Sequence, residues 1–148
     1  MMNIAIPEVL LVEDNPADVE LAEYAMRQGK IKANMHVAND AVTALAFLRR
    51  EGQYAEAPRP DLILLDLSLP GMNGREFLTE VKSDRILQTI PVGILTSSAA
   101  EEDILRSYKL GASCYMLKPP DREQFIRLID CMKDFWLTFV RFPKKIKH

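Results

Sequence analysis

The chain has 148 residues, 48% hydrophobic and 27% charged, with a formal net charge of −2. These values are typical of a single soluble globular domain, and the small net charge provides no broad field that would attract nucleic acid. There is no apolar stretch of the roughly 18 residues that a membrane span needs, and residues 1–12 lack a signal-peptide pattern. Cys114 and Cys131 are too far apart to form a metal or redox pair, so we expect buried, reduced thiols in a cytoplasmic protein.

Short apolar runs alternate with segments of helical periodicity along the chain. Strands are predicted at 9–12, 34–37, 62–65, 92–95 and 114–117, and all but the weak second run look like strands buried on both faces. The first helix is predicted to begin after Asn15, with Pro16 in its first turn and Asp18 at the positive end of its dipole, and to stop near Gly29.

The remaining helices follow the later strands in the same way. Apolar residues at helical spacing predict helices across 41–48 and 77–81, from about 100 to 110, and from about 122 onward, whereas 51–60 is predicted to be a loop. In the fourth helix, Ile104, Leu105 and Tyr108 are expected to be available for packing. Five strand–helix units predict an α/β fold, a (βα)5 doubly wound parallel sheet with helices on both faces.

Polar and charged side chains follow four of the strands. Glu13 and Asp14 follow the first strand, and the third, fourth and fifth strands run into Asp66, Thr96 and Lys118. The carboxyl ends of parallel strands meet at one edge of the sheet, where ligands bind. Three converging carboxylates repel one another unless a cation is present, and Mg²⁺ prefers such oxygen ligands.

The same set of groups suits phosphoryl transfer. An ammonium and a hydroxyl can both contact phosphoryl oxygens, and one carboxylate can act as the nucleophile. Asp66 is the best candidate for that carboxylate, because it ends the most apolar strand and precedes a turn-rich segment at 69–74.

Together these residues resemble the response regulator receiver domain of two-component signalling. The matching elements are the acidic pair at 13–14, Asp66 with the turn at 69–74, Thr96 with Ser97, and Lys118 with Pro119. The resemblance implies a flavodoxin-like sheet of strand order 2-1-3-4-5. It also implies one receiver domain over 1–148, with a core at about 8–136 and an apolar and basic C-terminal extension at 137–148.

The family resemblance also assigns roles to the candidate residues. It implies that Asp66 accepts a phosphoryl group from a histidine kinase, and that Thr96 and Lys118 contact the aspartyl phosphate. Tyr115 matches the aromatic switch residue of the family, and the Lys118–Pro119 bond is expected to be cis. The implied Mg²⁺ ligands are Glu13, Asp14, Asp66 and the backbone carbonyl of Ser68.

A finer resemblance points to the cyanobacterial phytochrome-associated response regulators. It is carried by the run at 59–67, the long loop at 51–60, the segment at 135–137 and the lack of an output domain. It implies a phytochrome-type, light-sensing histidine kinase as the partner. The small net charge and the lack of an apolar span predict no direct binding to nucleic acid or a membrane.

The end of the chain is too apolar for one helix face to bury. It either folds back on the surface of its own domain or forms a homodimer contact, because exposed apolar patches commonly mark interfaces. The candidate dimer residues are Phe135, Trp136, Phe139 and Phe142.

The leading hypothesis is a phosphorylation-dependent signalling switch that is not an enzyme, apart from its own phosphorylation and dephosphorylation. One alternative is a pseudo-receiver, a protein-interaction module without phosphotransfer. The other is an aspartyl-nucleophile phosphatase of the haloacid dehalogenase type. That class needs a second aspartate two residues after the nucleophile, where this chain has Ser68, so the general acid–base residue is missing.

Overall fold

The computed structural model describes residues 6–143, which form five strands and five α-helices. The strands are β1 (Glu8–Val12), β2 (Asn34–Ala38), β3 (Leu62–Leu65), β4 (Val92–Thr96) and β5 (Cys114–Leu117). The helices are α1 (Pro16–Arg27), α2 (Ala41–Arg49), α3 (Gly74–Ser83), α4 (Glu101–Lys109) and α5 (Arg122–Asp134). A π-helical turn, Phe135–Phe139, continues α5.

The five strands form one parallel sheet in the order β2-β1-β3-β4-β5, which confirms the predicted fold class and strand order. The central strands are apolar on both faces because each face carries a hydrophobic core. In β1, Leu10 and Val12 pack in the core beneath α2 and α3, whereas Val9 and Leu11 pack in the core beneath α1 and α5. This alternation follows from the two-residue period of a strand.

Helix α4 differs from the prediction that its apolar residues pack. Leu105 and Tyr108 are exposed, and Ser107 is the buried residue of this helix. The periodicity of α4 correctly indicates a helix, but Leu105 and Tyr108 lie on its solvent-facing side. Exposed apolar side chains therefore remain along α4.

Four further expectations meet different outcomes. Both cysteines are free, but Cys131 is exposed and Cys114 is half-buried, because α5 turns Cys131 away from the core. The described residues contain no cis peptide bond, so Lys118–Pro119 is trans, and the lysine reaches the acidic residues in that form.

Residues 144–148 of the predicted extension lie outside the described residues. Between residues 6 and 143, none of the helices is both long enough and apolar enough to cross a bilayer.

Candidate functional site

Backbone pairing of neighbouring strands brings the predicted site residues to one edge of the sheet. The Asp66 N–H donates to the Val12 carbonyl at 3.1 Å, which holds the end of β3 beside the end of β1. The Lys118 N–H donates to the Thr96 carbonyl at 2.8 Å and joins the ends of β5 and β4 in the same way. The positions of these residues are therefore set by sheet register rather than by flexible loops.

Three carboxylates form the centre of the site. Glu13, Asp14 and Asp66 each offer an oxygen atom, and these atoms lie within 4.8 Å of one another. Glu13 is 1% exposed and Asp66 is 6% exposed, whereas Asp14 is open to solvent. Such a group of oxygen ligands, two buried and one accessible, fits a hard divalent cation such as Mg²⁺.

The Lys118 ammonium lies among the acidic side chains. Its Nζ is 2.6 Å from Glu13 Oε1, 2.8 Å from Asp18 Oδ2 and 2.9 Å from Asp66 Oδ2. The burial of the lysine disfavours its charge, but these carboxylates outweigh burial and raise the pKa of Lys118 above its ordinary value. The lysine is therefore cationic at neutral pH.

The two buried acids differ in their ionisation. Burial is the main influence on Glu13 and raises its pKa to about 7, although Lys118 and the Asn15 N–H favour its charged form. Burial also disfavours a charge on Asp66, but the Ser68 N–H donates to its Oδ1 at 3.1 Å and Lys118 donates to its Oδ2. These hydrogen bonds prevail and hold the pKa of Asp66 below its usual value. Asp66 is thus the carboxylate kept ionised.

Thr96 ends β4 with a fully buried side chain. Its hydroxyl lies close enough to Asp66 to lower the pKa of that carboxyl, yet it has no hydrogen-bond partner of good geometry among the described residues. A buried hydroxyl beside an ionised carboxylate is available to a new oxygen placed there.

The family model of the response regulator receiver domain matches residues 9–130 of this chain. This range includes Glu13, Asp14, Asp18, Asp66 and Lys118. The chain belongs to the response regulator receiver family.

Relatives of this receiver include phytochrome response regulators. Response regulator Rcp1 of Synechocystis sp. is 39% identical over 135 residues, which cover 91% of this chain and 92% of that protein. The crystal structure of the phosphorylated cyanobacterial phytochrome response regulator RcpA is 42% identical, with a TM-score of 0.91, and covers 95% of this chain and 100% of that one. The Mn²⁺-bound form of Rcp1 is 38% identical, with a TM-score of 0.89, over 93% of this chain and 99% of that one. These findings confirm the predicted resemblance.

The receiver site includes one acid whose contact the sequence did not reveal. Asp18 was expected to interact with the dipole of α1, and it does lie in the first turn of that helix. Its side chain also pairs with Lys118, which is 100 residues away in sequence. Sequence separation hides such a contact, and the available signal was an acid one helical turn beyond the acidic pair at 13–14.

Tyr115, the candidate aromatic switch residue, belongs to a polar network between α3, α4 and the loop after β4. The Tyr115 hydroxyl donates to the Ser98 carbonyl at 2.8 Å, and the Ser98 hydroxyl donates to Asp103 Oδ2 at 2.6 Å. The other oxygen of Asp103 forms an ion pair with Arg75 of α3. Sequence reasoning identified Tyr115 but not the residues that hold its hydroxyl in place.

The apolar C-terminal residues divide into two groups. Trp136 stacks on Phe142, with ring centroids 6.3 Å apart and an interplanar angle of 7°, and both residues pack against the core beneath α1 and α5. Phe135 and Phe139 are 57% and 75% exposed. The segment therefore folds back through one pair of aromatic residues and presents the other pair to solvent.

Proposed function

We propose that this receiver domain accepts a phosphoryl group on Asp66 from a histidine kinase and acts as a cytoplasmic signalling switch. The observation that carries the proposal is the state of Asp66, a buried carboxylate that Ser68 and Lys118 keep ionised. An ionised carboxylate beside the Lys118 ammonium, with Glu13 and Asp14 on the loop after the neighbouring β1, is suited to nucleophilic attack on phosphorus.

The proposed transfer forms one bond and breaks one. An Asp66 oxygen bonds to phosphorus while the bond from phosphorus to the donor breaks, and the leaving group keeps the electron pair. For a phosphohistidine donor, the leaving group is an imidazole, which takes up a proton. Lys118 stabilises negative charge on the phosphoryl oxygens.

The carboxylates fit a resident divalent cation, for which we propose Mg²⁺. Glu13, Asp14 and Asp66 would hold it, together with the backbone carbonyl of Ser68. When bound, the cation neutralises charge on the acids and the incoming phosphoryl group. The acidic cluster and the Mn²⁺-bound form of Rcp1 support this assignment.

We further propose that Thr96 and Tyr115 report the phosphorylated state. The partnerless Thr96 hydroxyl donates to a phosphoryl oxygen once Asp66 carries one. Tyr115 then gives up its hydrogen bond to the Ser98 carbonyl and moves into the space that Thr96 leaves. The resulting change lies on the surface of α4 and β5.

The proposed partner is a phytochrome-type kinase, supported by the similarity to Rcp1 and RcpA. As further parts of the proposal, the receiver acts without binding nucleic acid or a membrane and without turnover of other substrates.

Acetyl phosphate with Mg²⁺ tests the phosphoacceptor directly. Intact-mass spectrometry is expected to show one phosphoryl group on the wild-type chain and none on Asp66→Asn, which keeps the shape of the side chain. An unmodified wild-type chain would leave the pseudo-receiver as the better hypothesis. Steady hydrolysis of a generic phosphate ester would instead favour a phosphatase.

A homodimer through the C-terminal segment is the second part of the proposal. The exposed side chains of Phe135 and Phe139 support it. Trp136 and Phe142 contact one another within the chain and contribute less to a dimer. Analytical ultracentrifugation is expected to give a monomer for Phe139→Asp and a dimer for the exposed control Thr138→Asp. Equal masses for both variants contradict this dimer.

A further inference from the structure

Asp18 is a fourth carboxylate at the site, and it lies outside the group that can hold a metal ion. Its Oδ2 accepts a hydrogen bond from Lys118 at 2.8 Å. The cluster of neighbouring ligand oxygens consists of Glu13, Asp14 and Asp66 and does not include Asp18. Asp18 therefore reaches the reacting carboxylate through the lysine.

Local structure fixes the position of Asp18. The Asn15 side chain caps α1 by accepting hydrogen bonds from the backbone N–H groups of Ala17 at 2.9 Å and Asp18 at 3.2 Å. Pro16 at the start of the helix restricts the backbone further. The Asp18 side chain is 21% exposed, so it is partly shielded from solvent. The cap holds this carboxylate in a defined place beside the sheet edge.

The geometry of an ammonium group gives this contact its significance. Lysine has three N–H donors on a flexible four-carbon stem, and in this structure they are matched by three carboxylates. A bond to Asp18 directs one donor toward α1 and leaves the other two directed at Glu13 and Asp66. A bound cation or phosphoryl group would engage Glu13 and Asp66, and Asp18, which lies outside the metal-ligand cluster, would remain as a partner of the lysine.

We propose that Asp18 is a positioning residue that holds the Lys118 ammonium over Asp66 during phosphoryl transfer. This inference rests on the proposed role of Asp66 as the phosphoacceptor. It assigns a part in the reaction to an α1 residue that does not contact the reacting atoms.

The test compares phosphorylation rates of full-length variants with acetyl phosphate at saturating Mg²⁺. Asp18→Ala removes the acceptor and is expected to react about tenfold more slowly than wild type, since a displaced catalytic group costs rate steeply. Asp18→Asn keeps a neutral oxygen acceptor and is expected to regain part of the rate. Glu20→Ala removes an exposed acid from the same helix and is expected to react like wild type. Calorimetric Mg²⁺ affinity is expected to change far less than the rate.

The outcomes separate this inference from the proposed function. If wild type is phosphorylated and Asp18→Ala reacts equally fast, the inference is wrong and the function stands. Equal slowing of Asp18→Ala and Asp18→Asn, in step with their loss of unfolding free energy, shows a purely structural role and also overturns it. If Asp18→Ala does not fold, the phosphorylation rate of Asp18→Asn is compared with that of Glu20→Gln. Equal rates refute the inference. A wild-type chain that takes no phosphoryl group refutes the proposed function and the inference together.

Discussion

Gly74 gives the sharpest test of how the turn after Asp66 is packed. A Cβ atom at this position would lie 2.6 Å from Leu67 Cα and 2.7 Å from the Asp66 carbonyl oxygen. Ordinary contact begins near 3.4 Å, so the backbone would have to move by about 0.8 Å. Because Gly74 begins α3 and its φ is not positive, alanine fits the local backbone, and helix propensity alone favours it by about 1 kcal/mol.

The steric effect is expected to exceed the propensity effect. Overpacking costs about 1–3 kcal/mol, and contacts with backbone atoms belong at the upper end of that range. Gly74→Ala should therefore destabilise the fold by a net amount of about 2 kcal/mol. With a urea m-value of about 2 kcal/mol/M, the unfolding midpoint should fall by about 1 M. Phosphorylation by acetyl phosphate should also slow, because the displaced backbone carries Asp66.

Gly93 provides a matched control for this measurement. It is buried in β4, and a Cβ there would meet Cys114 Sγ at 3.2 Å and Met116 Cε at 3.4 Å. These are the ends of flexible side chains and can move aside, so Gly93→Ala should stay within about 1 kcal/mol of wild type. Urea unfolding followed by circular dichroism compares the two variants. A Gly74→Ala midpoint at or above that of wild type would refute the steric argument.

Three further predictions concern charged groups. The pKa of Glu13 lies near 7 when folded and near 4.5 when unfolded, so between these values only the native state holds the proton. Stability of the metal-free protein should fall by about 3 kcal/mol as pH rises through that window, and Glu13→Gln should abolish the slope in urea titrations with EDTA. Lys133 is buried and donates to the Ala25 carbonyl at 2.8 Å, so Lys133→Met should lower the unfolding free energy by about 2 kcal/mol; an unchanged urea midpoint contradicts this. Asp103→Asn should weaken its ion pair and loosen the Ser98 hydroxyl, to which the Ala100 N–H donates at 3.4 Å, so the hydrogen exchange of the Ala100 amide should rise; unchanged exchange counts against the network.

The strands, most helices and the strand-end residues could be predicted because each depends on a local pattern. Alternating burial in β1 and the cap at Asn15 follow from a few neighbouring residues. The order of the strands came from the family resemblance, and it brings together side chains from 13 to 118 in the sequence.

The parts that could not be predicted depend on tertiary partners. Helical periodicity identifies the apolar residues of α4, but it does not show that Leu105 stays exposed to solvent in the folded chain. The π-helical turn changes the spacing after Asp134, so regular helical geometry does not tell which aromatic residues turn inward. The pairing of Asp18 with Lys118 joins distant parts of the chain and follows only from the folded arrangement.

Trp136 gives the protein an intrinsic fluorescence signal from a single site. It is the single tryptophan of the sequence, and it lies in the C-terminal segment rather than beside Asp66. Intrinsic indole emission therefore comes from one known place, in contact with the exposed Phe135 of the candidate dimer surface. A change in that emission when Mg²⁺ or acetyl phosphate is added reports communication across the sheet, without any label attached to the chain.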